Sequence, residues 1–264
     1  MKPLDGARLK VVRAQEHLNS LKAEIGKYLD SRPYEFRAEI DRDYVSARSA
    51  KINVDPPLRL GCILGDCLSN LRTSLDFVAW QLVVKHSSVT PVVGKDRIYF
   101  PLSKDAASFR ANGRSHLAHH RIPTAAIDIV ERVQPYHAGY YTLGVLNRLV
   151  NEDKHCLPLL TVARAETASI TIDIGGDPLT FSINHPPADF DPSEEFTIGF
   201  SRPGLTFDAT KGVSIDIESV KVDGQVAVFI SLQNAPVPRE PVDLTLEKIV
   251  KTVADIIPRF DPFV

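Results

Sequence analysis

The chain has 264 residues, 44% hydrophobic, 24% charged and 8% aromatic. This ordinary globular composition excludes a disordered chain, a collagen-like repeat and a coiled-coil rod. Lys and Arg total 31 against 33 Asp and Glu, a formal net charge of -2, so no strong overall field draws the chain to nucleic acid or to an anionic membrane surface.

The opening residues Met1 to Gly6 and the charges through Arg13 contain no apolar h-region, so no secretory signal is expected. No run reaches the roughly 18 apolar residues that would cross a membrane. Cys62, Cys67 and Cys156 are too few, and odd in number, for a disulfide framework. A cytoplasmic location is the expectation.

Taken in chain order, residues 7–29 predict an amphipathic helix with Val11, Ala14, Leu18, Leu21 and Ile25 on one face. Residues 34–54 alternate as a β-hairpin that turns at Asp41-Arg42-Asp43. Asp55-Pro56-Pro57 then predicts the cap of a long helix to about Lys85, with Leu64, Leu68, Leu71, Leu75, Val78, Ala79 and Leu82 inward. Ile98 to Pro101 reads as an edge strand, and Ala106 to Arg121 is rich in basic residues and His. Helices follow over Thr124 to Val133 and Thr142 to Asp153.

Beyond His155 the pattern changes to period two, with strand candidates at 169–174, 179–183, 196–200, 213–222 and 226–232. Gly175-Gly176-Asp177 and Asp223-Gly224 are turn signals, and Pro236 to Pro241 reads as a stiff linker. A last helix follows Asp243. The expected class is α+β: a helical part with a hairpin over 1–160, laid on a mainly antiparallel sheet over 161–264 and closed by the final helix. The stripes of the first and last helices would equally serve a homodimer.

The polar residues that stand out are on two of these helices. Asp66, Asn70 and Thr73 share a face of the long helix, beside a row with Ser69, Arg72 and Asp76. A mid-helix Asn is a poor helix former and asks for a reason. The second group is Asn147, Asn151, Asp153, Lys154 and His155. The helix dipole explains Lys154 and His155 at a C-terminus, but not the Asn pair or Asp153. If the two helices pack, these side chains converge in one polar network or site.

The residues Gly65-Asp66 through Asn70-Leu71-Arg72 to Leu75-Asp76 and Trp80, then Phe100-Pro101-Leu102, Val133-Gln134-Pro135-Tyr136 and Leu146 to His155, resemble an uncharacterised bacterial family. That family carries a G-D-x-x-x-N-L-R-S-x-L-D-H-x-x-W helix and an N-x-D-K-H-R motif. The resemblance covers roughly residues 60–160 and implies no reaction. A remoter similarity is to the HEPN helical RNases, which carry an Arg, then four to six residues, then a His. Arg72 matches the Arg, while Phe77 stands where the relatives have His and cannot transfer a proton.

Two functions follow as expectations. One is an interaction or small-ligand-binding protein using Asn70, Asp76, Asn147, Asn151 and Lys154. The alternative is a hydrolase acting on RNA or a nucleotide, with His155 as acid/base, Asp66 or Asp153 orienting it, and Arg72 stabilising phosphate charge. Arg110, Arg114, His119, His120 and Arg121 form a basic segment suited to RNA contact. His116, His119 and His120 lack an acidic co-ligand, so no metal is expected. No phosphate-binding glycine loop or nucleophile elbow occurs, and no cofactor is expected.

Overall fold

A computed structural model describes residues 2–31, 34–41, 44–52, 55–87, 97–154, 160–173, 179–184, 197–201, 221–232 and 240–264. His155, Cys156, the turn residues Arg42 and Asp43, the Gly175-Gly176-Asp177 turn, most of the 213–222 strand candidate and most of the Pro236 to Pro241 linker lie outside them. The chain divides into two compact units, residues 1–25, 57–160 and 232–264 forming one and residues 26–56 and 161–231 the other.

The first unit is a helical bundle. Its long helices are α1 (Asp5–Asp30), whose last residues from Gly26 on fall in the other unit, α2 (Leu58–His86), α6 (Tyr141–Asp153) and α7 (Val242–Ile256), the last continued by a 3-10 turn over Ile257–Phe263. Between α2 and α6 come α3 (Ala106–Ser108), a π-helix (Phe109–Arg114), α4 (Ser115–His119) and α5 (Thr124–Arg132). Apolar residues three and four apart create one inward stripe per helix. Leu64, Leu68, Leu71 and Leu75 of α2 have no exposed surface, nor do Leu143 and Leu146 of α6 or Leu246, Ile249 and Val253 of α7. Each such side chain contributes roughly 1.5–3 kcal/mol relative to exposure.

The order of the contacts fixes the directions. Lys10 reaches Asn70, the Ala14 carbonyl accepts from Cys67, and Gly6 lies beside Phe77. Numbers rise on α1 as they fall on α2, so the two helices are antiparallel. Lys22 pairs with Glu247, and Arg8 with Asp261 at 2.7 Å, so α7 also runs against α1. Helix α6 packs on both α2 and α7, and its Thr142 hydroxyl is 3.0 Å from that of Thr252.

The second unit holds β1 (Tyr34–Asp41), β2 (Tyr44–Ile52), β3 (Leu160–Asp173), β4 (Leu179–Asn184), β5 (Thr197–Ser201) and β6 (Lys221–Leu232). These make two three-stranded sheets, ordered β1-β2-β5 and β4-β3-β6. Residue 160 and residue 232, at strand ends, fall in the helical unit.

The expected α+β architecture, with helices laid on a C-terminal sheet, is overturned. Outside the strands of the second unit, the part of the chain whose packing is described is 76% helical and holds no sheet, so its class is helical and its helices pack on one another. The reason is that the apolar stripes of α2, α6 and α7 cover one another, so α7 closes a bundle of helices. Three smaller expectations also change. Helix α2 begins after Pro57 with no side-chain cap, so Asp55 does not cap it. Residues 98–101 form no strand, because the backbone of Phe100 is bonded to side chains of α2. Asp223-Gly224 lies inside β6 instead of turning the chain.

Candidate functional site

Arg72 and Asp76, one turn apart on α2, are 2.9 Å apart and grip one residue of the passing chain. Arg72 Nη2 donates to the Phe100 carbonyl at 2.7 Å, and the Phe100 N–H donates to Asp76 Oδ1 at 2.9 Å. The Phe100 ring is buried, edge-on to Phe260 at 6.0 Å. The residues 99–103 are thereby strapped to the bundle. Asn70 also has a local role: its amide donates to the Asp66 carbonyl at 2.8 Å, and its oxygen accepts from Lys10 Nζ at 3.1 Å. This explains the mid-helix Asn as a back-bonded tether between α1 and α2.

Asp153, the last residue of α6, is packed against Gly65 of α2. A Cβ at Gly65 would stand 2.9 Å from the Asp153 carboxyl carbon, closer than atoms tolerate. Desolvation, then the nearby Asp66 carboxylate, pushes the Asp153 carboxyl above its ordinary range. Lys154 follows at the exposed helix end.

Asn147 and Asn151 face elsewhere. With Gly144, Arg148 and Glu152 they form one wall of an open groove of about 590 Å³. The opposite wall is Leu102, Ser103 and Lys104 of the strap, with Pro135. Gly144 keeps that junction tight, since a Cβ there would be 3.3 Å from Pro135 Cβ. The strap side is fixed by the buried Gln134, whose Oε1 accepts from the Ser103 N–H at 2.8 Å and whose Nε2 donates to the Pro101 carbonyl at 2.8 Å and the Val130 carbonyl at 2.9 Å. Arg148 Nε donates to Glu152 at 2.9 Å along the rim. Among the described residues the carboxamides of Asn147 and Asn151 have no hydrogen-bond partner. Their hydrogen-bonding capacity is available to a ligand.

The basic segment is partly neutralised. Arg114 is bonded at 2.7 Å to both Asp128 and Glu131, which removes it from an RNA-facing row. His116 stacks on Tyr99 at 4.4 Å, while His120 stands edge-on to His116 and to His119 at 5.2 Å in each case. Arg110 and Arg121 are exposed. Among the described residues no three His, Cys, Asp or Glu side chains are grouped to hold a metal ion.

The expected single constellation is therefore distributed over separate places. Asp66 and Asp153 meet at the α2–α6 contact, Arg72 and Asp76 hold the strap, Asn70 ties α1, and Asn147 with Asn151 lines the groove. His155 lies outside the described residues. Sequence reasoning did not assign Ser103, Lys104 or Pro135 to a site. The signal for them was the pair of short motifs Phe100-Pro101-Leu102 and Val133-Gln134-Pro135-Tyr136, which Gln134 joins. Comparison of the chain with protein-family models, with curated proteins and with solved structures gives no match.

Proposed function

We propose that the protein is a non-catalytic interaction or small-ligand-binding protein whose site is the groove between α6 and the 102–104 strap. The observation that carries this reading is the pair of unpartnered carboxamides, Asn147 and Asn151, one turn apart on a groove wall. Its volume of about 590 Å³ lies in the range of about 300–1,000 Å³ typical of small-molecule sites. Leu102, Pro135 and Gly144 offer apolar surface, and the two Asn with Lys104 fix orientation. Lys154, exposed after the end of α6, does not line this groove. A cytoplasmic setting agrees with the buried Cys67, whose thiol burial pushes up to about 12 and so keeps protonated and unreactive.

The hydrolase reading has less behind it. Arg72 Nη2 serves Asp76 and the Phe100 carbonyl and Nη1 is buried, so the guanidinium is not presented at an open surface. Resonances of the Asn147 and Asn151 side-chain amides, followed during titration with a panel of polar metabolites, test the binding reading. Coincident movement of both on addition of one compound supports it. A ligand that shifts only resonances remote from both rejects it, as does hydrolysis of an RNA oligonucleotide that Arg72→Lys abolishes.

A further inference from the structure

Two polar side chains on the groove wall are regularly spaced, and their spacing suits one class of ligand. Asn147 and Asn151 are four apart on α6, which puts their Cβ atoms about 6 Å apart on one face. In an extended peptide, residues i and i+2 present both their N–H and C=O groups along the same edge, about 6.6 Å apart. A carboxamide carries one acceptor and two donors, which is the complement of that N–H and C=O pair. Two such groups one helical turn apart therefore match alternate residues of an extended chain to within about an ångström.

Charge selects further. Lys104 is an exposed cation on the strap wall. Among the described lining residues the one carboxylate, Glu152, is bonded to Arg148. With Arg148 and Glu152 paired, Lys104 leaves the lining with a surplus positive charge, which favours an acidic ligand.

We propose that the groove binds an extended, acidic peptide segment of a partner protein. Asn147 and Asn151 each bond the backbone of one of two alternate residues, and Lys104 pairs with a carboxylate of the peptide. Leu102 and Pro135 receive an apolar side chain between them. This rests on the groove being the binding site and names what fills it.

The test uses the full chain on an array of immobilised octapeptides of varied sequence, with the best binder re-measured by calorimetry. The expected hits are rich in Asp and Glu. Asn147→Ala and Asn151→Ala each weaken binding by about tenfold. Backbone N-methylation at two residues separated by one weakens it likewise, and methylation of the residue between them does not. Thermal unfolding of both variants, at positions half-buried and exposed, confirms that they fold. An array with no binder overturns the proposal, as does a peptide that the double variant binds unchanged. A nucleoside or sugar that moves the Asn147 and Asn151 amides when no peptide does also overturns it, while leaving the groove reading intact.

Discussion

Gly65 on α2 and Asp153 at the end of α6 occupy each other's space: the Asp153 carboxyl carbon stands 2.9 Å from where a Gly65 Cβ would lie. That approach is what a glycine in mid-helix allows, and it brings a second carboxylate toward Asp66. The α2–α6 contact is thus set by backbone proximity at one end and by the leucine stripes along the rest.

Replacing a helical Gly by Ala ordinarily stabilises by about 1 kcal/mol. Here Gly65→Ala should gain nothing in the wild type, because the new methyl displaces the Asp153 carboxylate. In an Asp153→Ala background the same change should recover the gain of about 1 kcal/mol. A denaturant double-mutant cycle measures the coupling, and additive effects would reject the contact. Asp153 also gives a pH signature. Its folded-state pKa is raised above the unfolded value, so the ionised carboxylate destabilises the fold and the penalty fades as pH falls through the raised value. Asp153→Asn should raise the melting temperature at neutral pH and lose that advantage in acid.

Gln134 is the fixed point of the strap. It is completely buried and satisfies Ser103 N–H and the carbonyls of Pro101 and Val130. Gln134→Leu keeps the volume and strands these groups, at a cost of about 3 kcal/mol. Hydrogen exchange should show the Ser103 amide losing protection first. A protected Ser103 amide in that variant would contradict the assigned role.

The helices were legible because their stripes repeat at 3.6 residues, as Leu64, Leu68, Leu71 and Leu75 show. What a stripe faces is not written in its own period. The α7 stripe suits a sheet or a helix equally, and the choice of α2 and α6 is a long-range outcome. The same limit applies to the polar residues. Arg72 and Asn147 look alike as polar helix positions, yet one grips Phe100 and the other lines an open groove. The difference comes from residues 99–103, whose path depends on Gln134 more than 30 positions later.

Arg121 carries a backbone that suits another residue. Its φ is +58°, the left-handed region that follows a helix C-terminus and usually falls to glycine. The Ile122 N–H bonds the Leu117 carbonyl and the Arg121 N–H that of Ala118 at 2.9 Å, closing the turn after α4. Arg121→Gly should stabilise by about 0.5–1 kcal/mol, since the Cβ strain exceeds the added unfolded-state entropy. Arg121→Ala retains the Cβ and should give none of that gain. Equal midpoints for the Gly and Ala variants at constant slope would remove strain as the cause.

His116 makes the neighbouring turn sensitive to acid. Its ring lies against Tyr99 at 4.4 Å and meets His120 edge-on. Burial, followed by His120 and His119, holds its pKa below the ordinary 6.5. The charged groups on the elements packed against α4 are Arg110 and Arg114 of the π-helix and Asp128, Glu131 and Arg132 of α5, and Arg114 takes up Asp128 and Glu131 itself. The unfolded chain therefore binds a proton at a higher pH than the native state does. Stability from this site is complete above 6.5 and declines as pH falls through the lowered native value. His116→Phe preserves a ring on Tyr99 and removes the titration. Between about pH 7.5 and about pH 5 the wild type should lose more stability than the variant, as read from denaturant midpoints. Parallel curves would show that the His116 imidazole is solvated in the native protein.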